Sequence, residues 1–258
     1  MLLLPRLRHY ALMDYEHISI LTMAFLLAGT IKGISGLGLP TVSLGILSLA
    51  IDLQTAMALL LVPSLVTNIW QALFGKNVGV LLRRLWPFLL PATGGVWLGT
   101  ALFALFQTQW LEAILGILLL LYAALGLIGF QQQLKSLHER PIGVACGLAN
   151  GVLAGLTGSF VLPGVIFLQA LGLDRHKFVQ AMGILFTLST LALATALYCN
   201  GRLTLSIGLS SAFGLVPAVI GMFIGSRVRH LLTEIQFQRI FFGCVLGLGL
   251  AILKSAVW

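Results

Sequence analysis

The stretch GISGLGLP, residues 33–40, interrupts a long apolar run directly after Lys32. Each glycine in a helix interior costs about 1 kcal/mol relative to alanine, so this glycine-rich stretch predicts that a helix ends here. Pro40 suits the first position of a new helix, because its missing N–H would be unpaired there anyway. The stretch therefore predicts a broken or hairpin helix.

A related stretch, GLTGSFVLP at residues 155–163, ends in the same way at Pro163. An offset of 122 residues aligns the two regions at several positions, which indicates a duplicated unit. The matched pairs are Gly29 with Gly151, Gly33 with Gly155, Ser35 with Thr157, Gly36 with Gly158, and Asp52 with Asp174. Asp52 and Asp174 each stand where an N-cap is expected.

The sequence around these stretches is strongly apolar, with 59% hydrophobic and 9% charged residues and a mean hydropathy of +1.05. Several runs exceed the roughly 20 apolar residues that cross a bilayer, so we expect an all-α polytopic membrane protein. The expected helical segments are 18–34, 40–50, 53–74, 80–106 and 109–130, then 141–156, 163–172, 174–199, 204–226 and 234–255.

These segments divide the chain into two repeats of five. Residues 1–17 lack a cleavable signal pattern and are interpreted as a retained interfacial segment. Residues 18–130 form repeat 1, the polar stretch QQQLKSLHER at 131–140 is a linker, and residues 141–258 contain repeat 2.

The distribution of Lys and Arg bears on the orientation of the repeats. If each short second segment returns toward the side from which the first entered, the repeats are inverted and the linker side carries most of the cations, which makes it cytoplasmic. That side holds Lys76, Arg83, Arg84, Lys135, Arg140, Arg175, Lys177, Arg227 and Arg229. The rival topology, parallel repeats with four crossings in each half, divides the Lys and Arg residues nine to four the other way. The charge count therefore does not exclude it. Both topologies stay open, with inverted repeats favoured.

The two breaks suggest an anion site. Residues 40–50 make a helix of about 16 Å, half of a roughly 30 Å hydrocarbon core, so its N-terminus is expected near mid-depth. Helix N-termini attract anions through unpaired N–H groups. The candidate substrate-binding residues at the breaks are Gly33, Ser35, Gly36, Gly38, Pro40, Gly155, Thr157, Gly158, Ser159 and Pro163.

Lys32 has two interpretations, because a central Lys costs about 2.5–3.5 kcal/mol on insertion scales. It either contacts a bound anion or a polar vestibule, or it extends to the membrane interface. Two polar helix faces have two interpretations as well: they line a substrate path, or they hold helices together. They comprise Ser64, Asn68 and Gln71 in one segment and Gln180, Thr187 and Thr190 in another.

Glycines repeat at four-residue spacing in several segments, which predicts close helix packing. These are Gly95 and Gly99, Gly147, Gly151 and Gly155, Gly221 and Gly225, and Gly243 and Gly247.

Other functional classes find little support. GISG fits the G-x-S-G pattern of intramembrane serine proteases, but no histidine lies within a predicted span to act as base. A non-transporting scaffold is disfavoured because no soluble docking domain is apparent. Separated cysteines and histidines predict no metal site, and we expect no enzyme activity, no cofactor and no nucleic-acid partner. The net charge of +8 is attributed to cytoplasmic loops.

Two long stretches resemble the sulfite exporter TauE/SafE family, also called toluene-sulfonate uptake permeases. They are AGTIKGISGLGLPTVSLGIL with PSLVTNIWQAL, and the region from GLANGVLAGLTGSFVLP to GILFTLSTLALA. The resemblance implies a multi-pass secondary carrier of the bacterial inner membrane for small sulfur-containing or organic anions such as sulfite, sulfonates or sulfoacetate. From the repeats themselves we expect alternating access, in which rocking of the repeats exposes the site to each side in turn. Ser159 stands where many relatives carry glycine. The identity of the anion, a coupling ion (proton or sodium), the direction of transport and the oligomeric state stay open.

Overall fold

The computed structural model describes the backbone of residues 4–130, 133–231 and 233–257, and the side chains from residue 18 onward except at 234 and 257. The protein is all-helical. Its helices are α1 (Leu4–Ser35), α2 (Leu39–Leu47), α3 (Leu53–Leu59), α4 (Leu61–Leu73), α5 (Val78–Leu102), α6 (Thr108–Leu127), α7 (Glu139–Thr157), α8 (Gly164–Ala170), α9 (Arg175–Cys199), α10 (Leu205–Val228) and α11 (Glu234–Val257).

Six helices in the described part of the chain are long and apolar enough to cross a membrane, and the α3–α4 pair makes a seventh if it counts as one span. The side chains of the expected interfacial segment 1–17 lie outside the described residues, while its backbone from Leu4 onward belongs to α1. Positions 131 and 132 of the linker also lie outside the described residues. The linker contacts the end of α8, where Leu134 N–H donates to the Ala170 carbonyl at 2.8 Å.

The predicted break after Lys32 is confirmed. α1 ends at Ser35, and Gly36 and Gly38 adopt φ values of 81° and 99°, which glycine tolerates far better than other residues. α2 then begins at Leu39, so Pro40 occupies its second position. The glycines therefore permit the change of direction between α1 and α2.

The second break, after α7, uses the same hydrogen-bond pattern. The Ser35 hydroxyl donates to the Ile31 carbonyl (2.9 Å) and accepts from Leu37 N–H (3.0 Å). The Thr157 hydroxyl donates to the Leu153 carbonyl (2.7 Å) and accepts from Ser159 N–H (3.2 Å). These are the positions that the 122-residue offset pairs, so the structure is compatible with a duplicated unit.

The prediction of a single helix over residues 53–74 is wrong. The helix bends by 43° between α3 and α4, close to Pro63, which has no N–H to donate to the Leu59 carbonyl. Ser211 of α10 compensates. Its hydroxyl donates to the Leu59 carbonyl (2.8 Å) and accepts from Val62 N–H (3.0 Å). A residue from another helix thus satisfies the backbone at the bend.

The predicted N-caps are confirmed. The Asp52 carboxylate accepts from Thr55 N–H at 3.0 Å at the start of α3. The Asp174 carboxylate accepts from Lys177 N–H at 2.9 Å at the start of α9. Both caps satisfy N–H groups that have no partner inside the helix.

Most of the glycine stripes form two close helix contacts, which we call the glycine seams. They join α1 to α10 and α5 to α7. A Cβ added at any seam glycine would lie only 2.0–2.8 Å from a carbonyl oxygen of the partner helix. The seam glycines are Gly29, Gly33, Gly221 and Gly225 in one seam, and Gly95, Gly99, Gly147, Gly151 and Gly155 in the other.

The prediction of close packing is wrong for Gly243 and Gly247, which are exposed with open space where a Cβ would be. α11 packs on α6 through a different position, where a Cβ on Gly249 would lie 3.0 Å from the Gly116 carbonyl oxygen. The most extensive interfaces, α5 with α7, α1 with α10, α6 with α11 and α4 with α9, all join the first half of the chain to the second.

Candidate functional site

Lys32 lies in the helix packing, with only 3% of its surface exposed. Its amine donates to the Thr67 hydroxyl at 3.1 Å and to the Asn68 side-chain carbonyl, both on α4. Among the described side chains no carboxylate forms an ion pair with it. The side chain therefore turns into the protein, and among the described residues its amine has amide and hydroxyl partners only.

A chain of hydrogen bonds continues from Asn68 to α9. The Asn68 amide donates to the Ser64 hydroxyl at 2.9 Å, and Ser64 contacts the Thr190 hydroxyl at 3.2 Å. Ser189, the residue before Thr190 in α9, has a buried hydroxyl without a partner. Three residues that the sequence analysis selected thus lie in one buried network with Lys32. Thr67 is an additional member that the sequence analysis missed.

Two glutamines connect α4 and α9 reciprocally. The Gln71 amide donates to the Val179 carbonyl at 2.7 Å, and the Gln180 amide donates to the Ala72 carbonyl at 2.8 Å. The Gln180 side-chain carbonyl is buried without a partner. Thr187 instead donates to Gly183 of its own helix at 2.7 Å, so it does not join the network.

The predicted residues at the two breaks have mostly conformational roles. Gly36, Gly38 and Gly158 have positive φ, and Gly33 and Gly155 belong to the glycine seams. Ser35 and Thr157 bond their own helix ends. Ser159 is buried beside the second break, and Pro163 directly precedes α8.

Asn150 of α7 is a further polar residue at the second break that the sequence analysis did not select. Its side-chain carbonyl accepts from Gly164 N–H at 2.9 Å, at the first residue of α8. Its NH₂ group is buried and has no partner. An unpaired donor therefore faces the interior close to the second break.

A cavity of about 600 Å³ lies between the first break and the linker end of the molecule. Its inner part contains Ser35 and Leu37 of the break, and its exposed rim contains Gln133 of the linker together with Arg175 and Arg229. Further polar lining comes from Gln169, Thr233 and Gln238. The aromatic wall consists of Tyr122, Phe178, Phe237, Phe241 and Phe242.

The rim of this cavity is cationic. Among the described side chains, no carboxylate lines it, and neither Arg175 nor Arg229 has an ion-pair partner. The acid beside Arg175, Asp174, is bonded to Lys177 at 2.8 Å. That hydrogen bond, with the backbone bond from the same residue, holds the pKa of Asp174 below its ordinary value. The described lining of the cavity therefore suits anions.

From the sequence, Arg175 and Arg229 bear only on orientation, and the aromatic wall is not predicted. One signal was present, because Phe237, Phe241 and Phe242 recur at the spacing of a single helix face. It could not show that this face borders a cavity instead of lipid.

Spanning helices, a buried lysine with no carboxylate partner among the described side chains and an arginine-rimmed cavity together define a polytopic membrane protein with an interior suited to anions. The family model described as sulfite exporter TauE/SafE matches residues 21–252, so the chain belongs to that family. It is therefore a multi-pass membrane transporter of sulfur-containing anions. No curated protein and no solved structure matches it significantly.

Proposed function

We propose that the protein is a secondary carrier of the bacterial inner membrane that moves organic sulfur anions, such as sulfonates or sulfoacetate, by alternating access. The observation that carries this proposal is the buried Lys32 amine, which lacks a carboxylate partner among the described residues. A bound anion would offset the cost of its charge.

The cavity supports an organic anion over sulfite alone. Its volume of about 600 Å³ falls within the roughly 300–1,000 Å³ of sites that hold organic small molecules. A sulfonate group would approach Arg175 and Arg229 at the rim, since guanidinium groups bind oxyanions through paired N–H donors. The apolar part of the substrate would pack on the aromatic wall.

The route inward follows α1. The cavity includes Ile34 and Ser35, and Lys32 lies less than one helical turn before Ser35. The tip of Val179 would lie 3.4 Å from a Cβ on Gly36, so α9 closely borders the break at this point. A small outward movement of α9 would connect the cavity to the Lys32 network. With the linker on the cytoplasmic side, the cavity opens to the cytoplasm.

The test is uptake of radiolabelled sulfonates and sulfite into proteoliposomes. Loss of a buried cation that contacts the anion weakens binding by about 2–5 kcal/mol, so Lys32→Gln should reduce uptake at subsaturating substrate by more than tenfold. Lys135→Gln, which removes an exposed linker lysine, is the matched control. Arg175→Gln and Arg229→Gln should raise KM for sulfonates. Normal uptake by Lys32→Gln at intact folding would remove Lys32 from the site.

A further inference from the structure

The hydrogen bonds around Lys32 have a fixed direction. The Thr67 hydroxyl donates to the Pro63 carbonyl at 2.7 Å, so its oxygen accepts from Lys32. The Asn68 amide donates to Ser64, so its carbonyl oxygen also accepts from Lys32. The site therefore offers the amine two acceptors.

Two acceptors match a neutral amine. A neutral lysine has two N–H donors and one lone pair, whereas an ammonium group has three N–H donors. Among the described residues nothing accepts the third N–H of a charged Lys32. An unpaired N–H on a buried charge is costly, so the empty site favours the neutral form.

Among the described side chains, no charged group on the surrounding helices is bonded to Lys32. α2 and α4 carry no charged residue at all. The other elements packed around Lys32 carry titratable and charged side chains, most of which stand near helix ends. They are Arg227 in the last turn of α10 with Arg229 and His230 directly after it, Arg175, His176, Lys177, Tyr198 and Cys199 on α9, and Arg239, Cys244 and Lys254 on α11.

We infer that Lys32 carries the coupling proton: each anion that reaches the network is accompanied by one proton taken up by the Lys32 amine. The lone pair of the neutral amine accepts a proton from the side on which the anion enters. The new third N–H then donates to the anion. On the other side the anion leaves and the proton is released, which restores the neutral amine. This inference rests on the proposed function and specifies that function as proton–anion symport.

A strong-acid anion gives the clearest test. 4-Toluenesulfonate stays ionised at every pH used, so any proton that moves with it is carried by the protein. Proteoliposomes containing a pH-sensitive dye and the wild-type chain are expected to acidify inside as the sulfonate enters, with one proton per anion. Because proton and anion binding are linked, the apparent affinity should fall by up to about tenfold per pH unit in the alkaline range.

Substitution identifies the group that carries the proton. Lys32→Arg keeps a cation that cannot lose its proton, so it should retain sulfonate exchange but lose net uptake and internal acidification. Lys135→Arg should behave like the wild type. If the Arg variant does not fold, the residual sulfonate uptake of Lys32→Gln is followed instead, and it should proceed without internal acidification. Acidification in proportion to uptake in that variant would overturn the assignment to Lys32.

Two other outcomes overturn the inference: sulfonate uptake by the wild type without acidification, or undiminished acidification in Lys32→Arg. A wild type that moves neither sulfonate nor sulfite would refute the proposed function instead, and the proton inference with it.

Discussion

The glycine seams make a sharp prediction when the same substitution is placed in two environments. Gly99→Ala adds a Cβ only 2.1 Å from the Val152 carbonyl oxygen of α7, whereas Gly243→Ala adds one with no atom within 4 Å. Both replacements gain about 1 kcal/mol of helix propensity. That gain cancels in the comparison, so the difference between the variants reports helix packing alone.

The magnitude follows from the geometry. Non-bonded heavy atoms normally stay about 3.5 Å apart and this contact would be 2.1 Å, so α5 and α7 would have to separate by about 1.4 Å to admit the new methyl group at Gly99. The nearest atoms are backbone, which cannot rotate away as a side chain can. Overpacking of this kind costs about 1–3 kcal/mol, so Gly99→Ala should be less stable than Gly243→Ala by that amount.

The assay is reversible unfolding of both variants and the wild type in mixed micelles, with helix content followed by circular dichroism. Gly33→Ala, whose Cβ would lie 2.2 Å from the Met222 carbonyl oxygen, tests the other seam in the same way. Equal stability of the Gly99 and Gly243 variants would refute the packing argument for the α5–α7 seam.

Three further predictions concern the bend, a surface ion pair and the topology. Ser211→Ala should lower the free energy of unfolding by about 1–3 kcal/mol in the same assay, because it leaves the Leu59 carbonyl at the bend unpaired. Ser206→Ala, at an exposed site on the same helix, should change it far less. Equal effects of the two substitutions would show that Ser211 does not stabilise the bend. The ion pair between Arg84 and Glu139, at 2.8 Å, is partly exposed. A double-mutant cycle with Glu139→Gln and Arg84→Gln should therefore give a coupling energy below about 1 kcal/mol, and a larger value would show that the contact is more buried. In a cysteine-free background, single cysteines at positions 135 and 202 should be labelled from opposite sides of the membrane under inverted repeats, with 135 labelled from the cytoplasm; labelling from the same side would exclude that topology.

The breaks and the caps were predictable because their chemistry is local. Positive-φ glycines act within a few residues of themselves, and so does a cap such as Asp52. The bend at Leu60 was missed because a proline alone does not decide whether a helix continues. The deciding partner, Ser211, lies about 150 residues further along the chain.

The sequence predicts which residues of the candidate site share a helix face, but not which neighbouring helix that face contacts. Helical spacing correctly grouped Ser64 and Asn68, because it reports which residues share a face. It does not report which helix meets that face, so Thr67 was missed. For the same reason the spacing of Gly243 and Gly247 resembled a packing stripe although those glycines face outward.

The glycine seams bind each half of the chain to the other, since α1 of the first half is matched to α10 of the second and α5 of the first to α7 of the second. Rocking one sequence half against the other would have to open both seams. We therefore expect the rigid units of the transport cycle to be composite, each built from segments of both halves, with slippage confined to looser surfaces between them. By the same reasoning, neither half synthesised alone should fold until its complement is supplied.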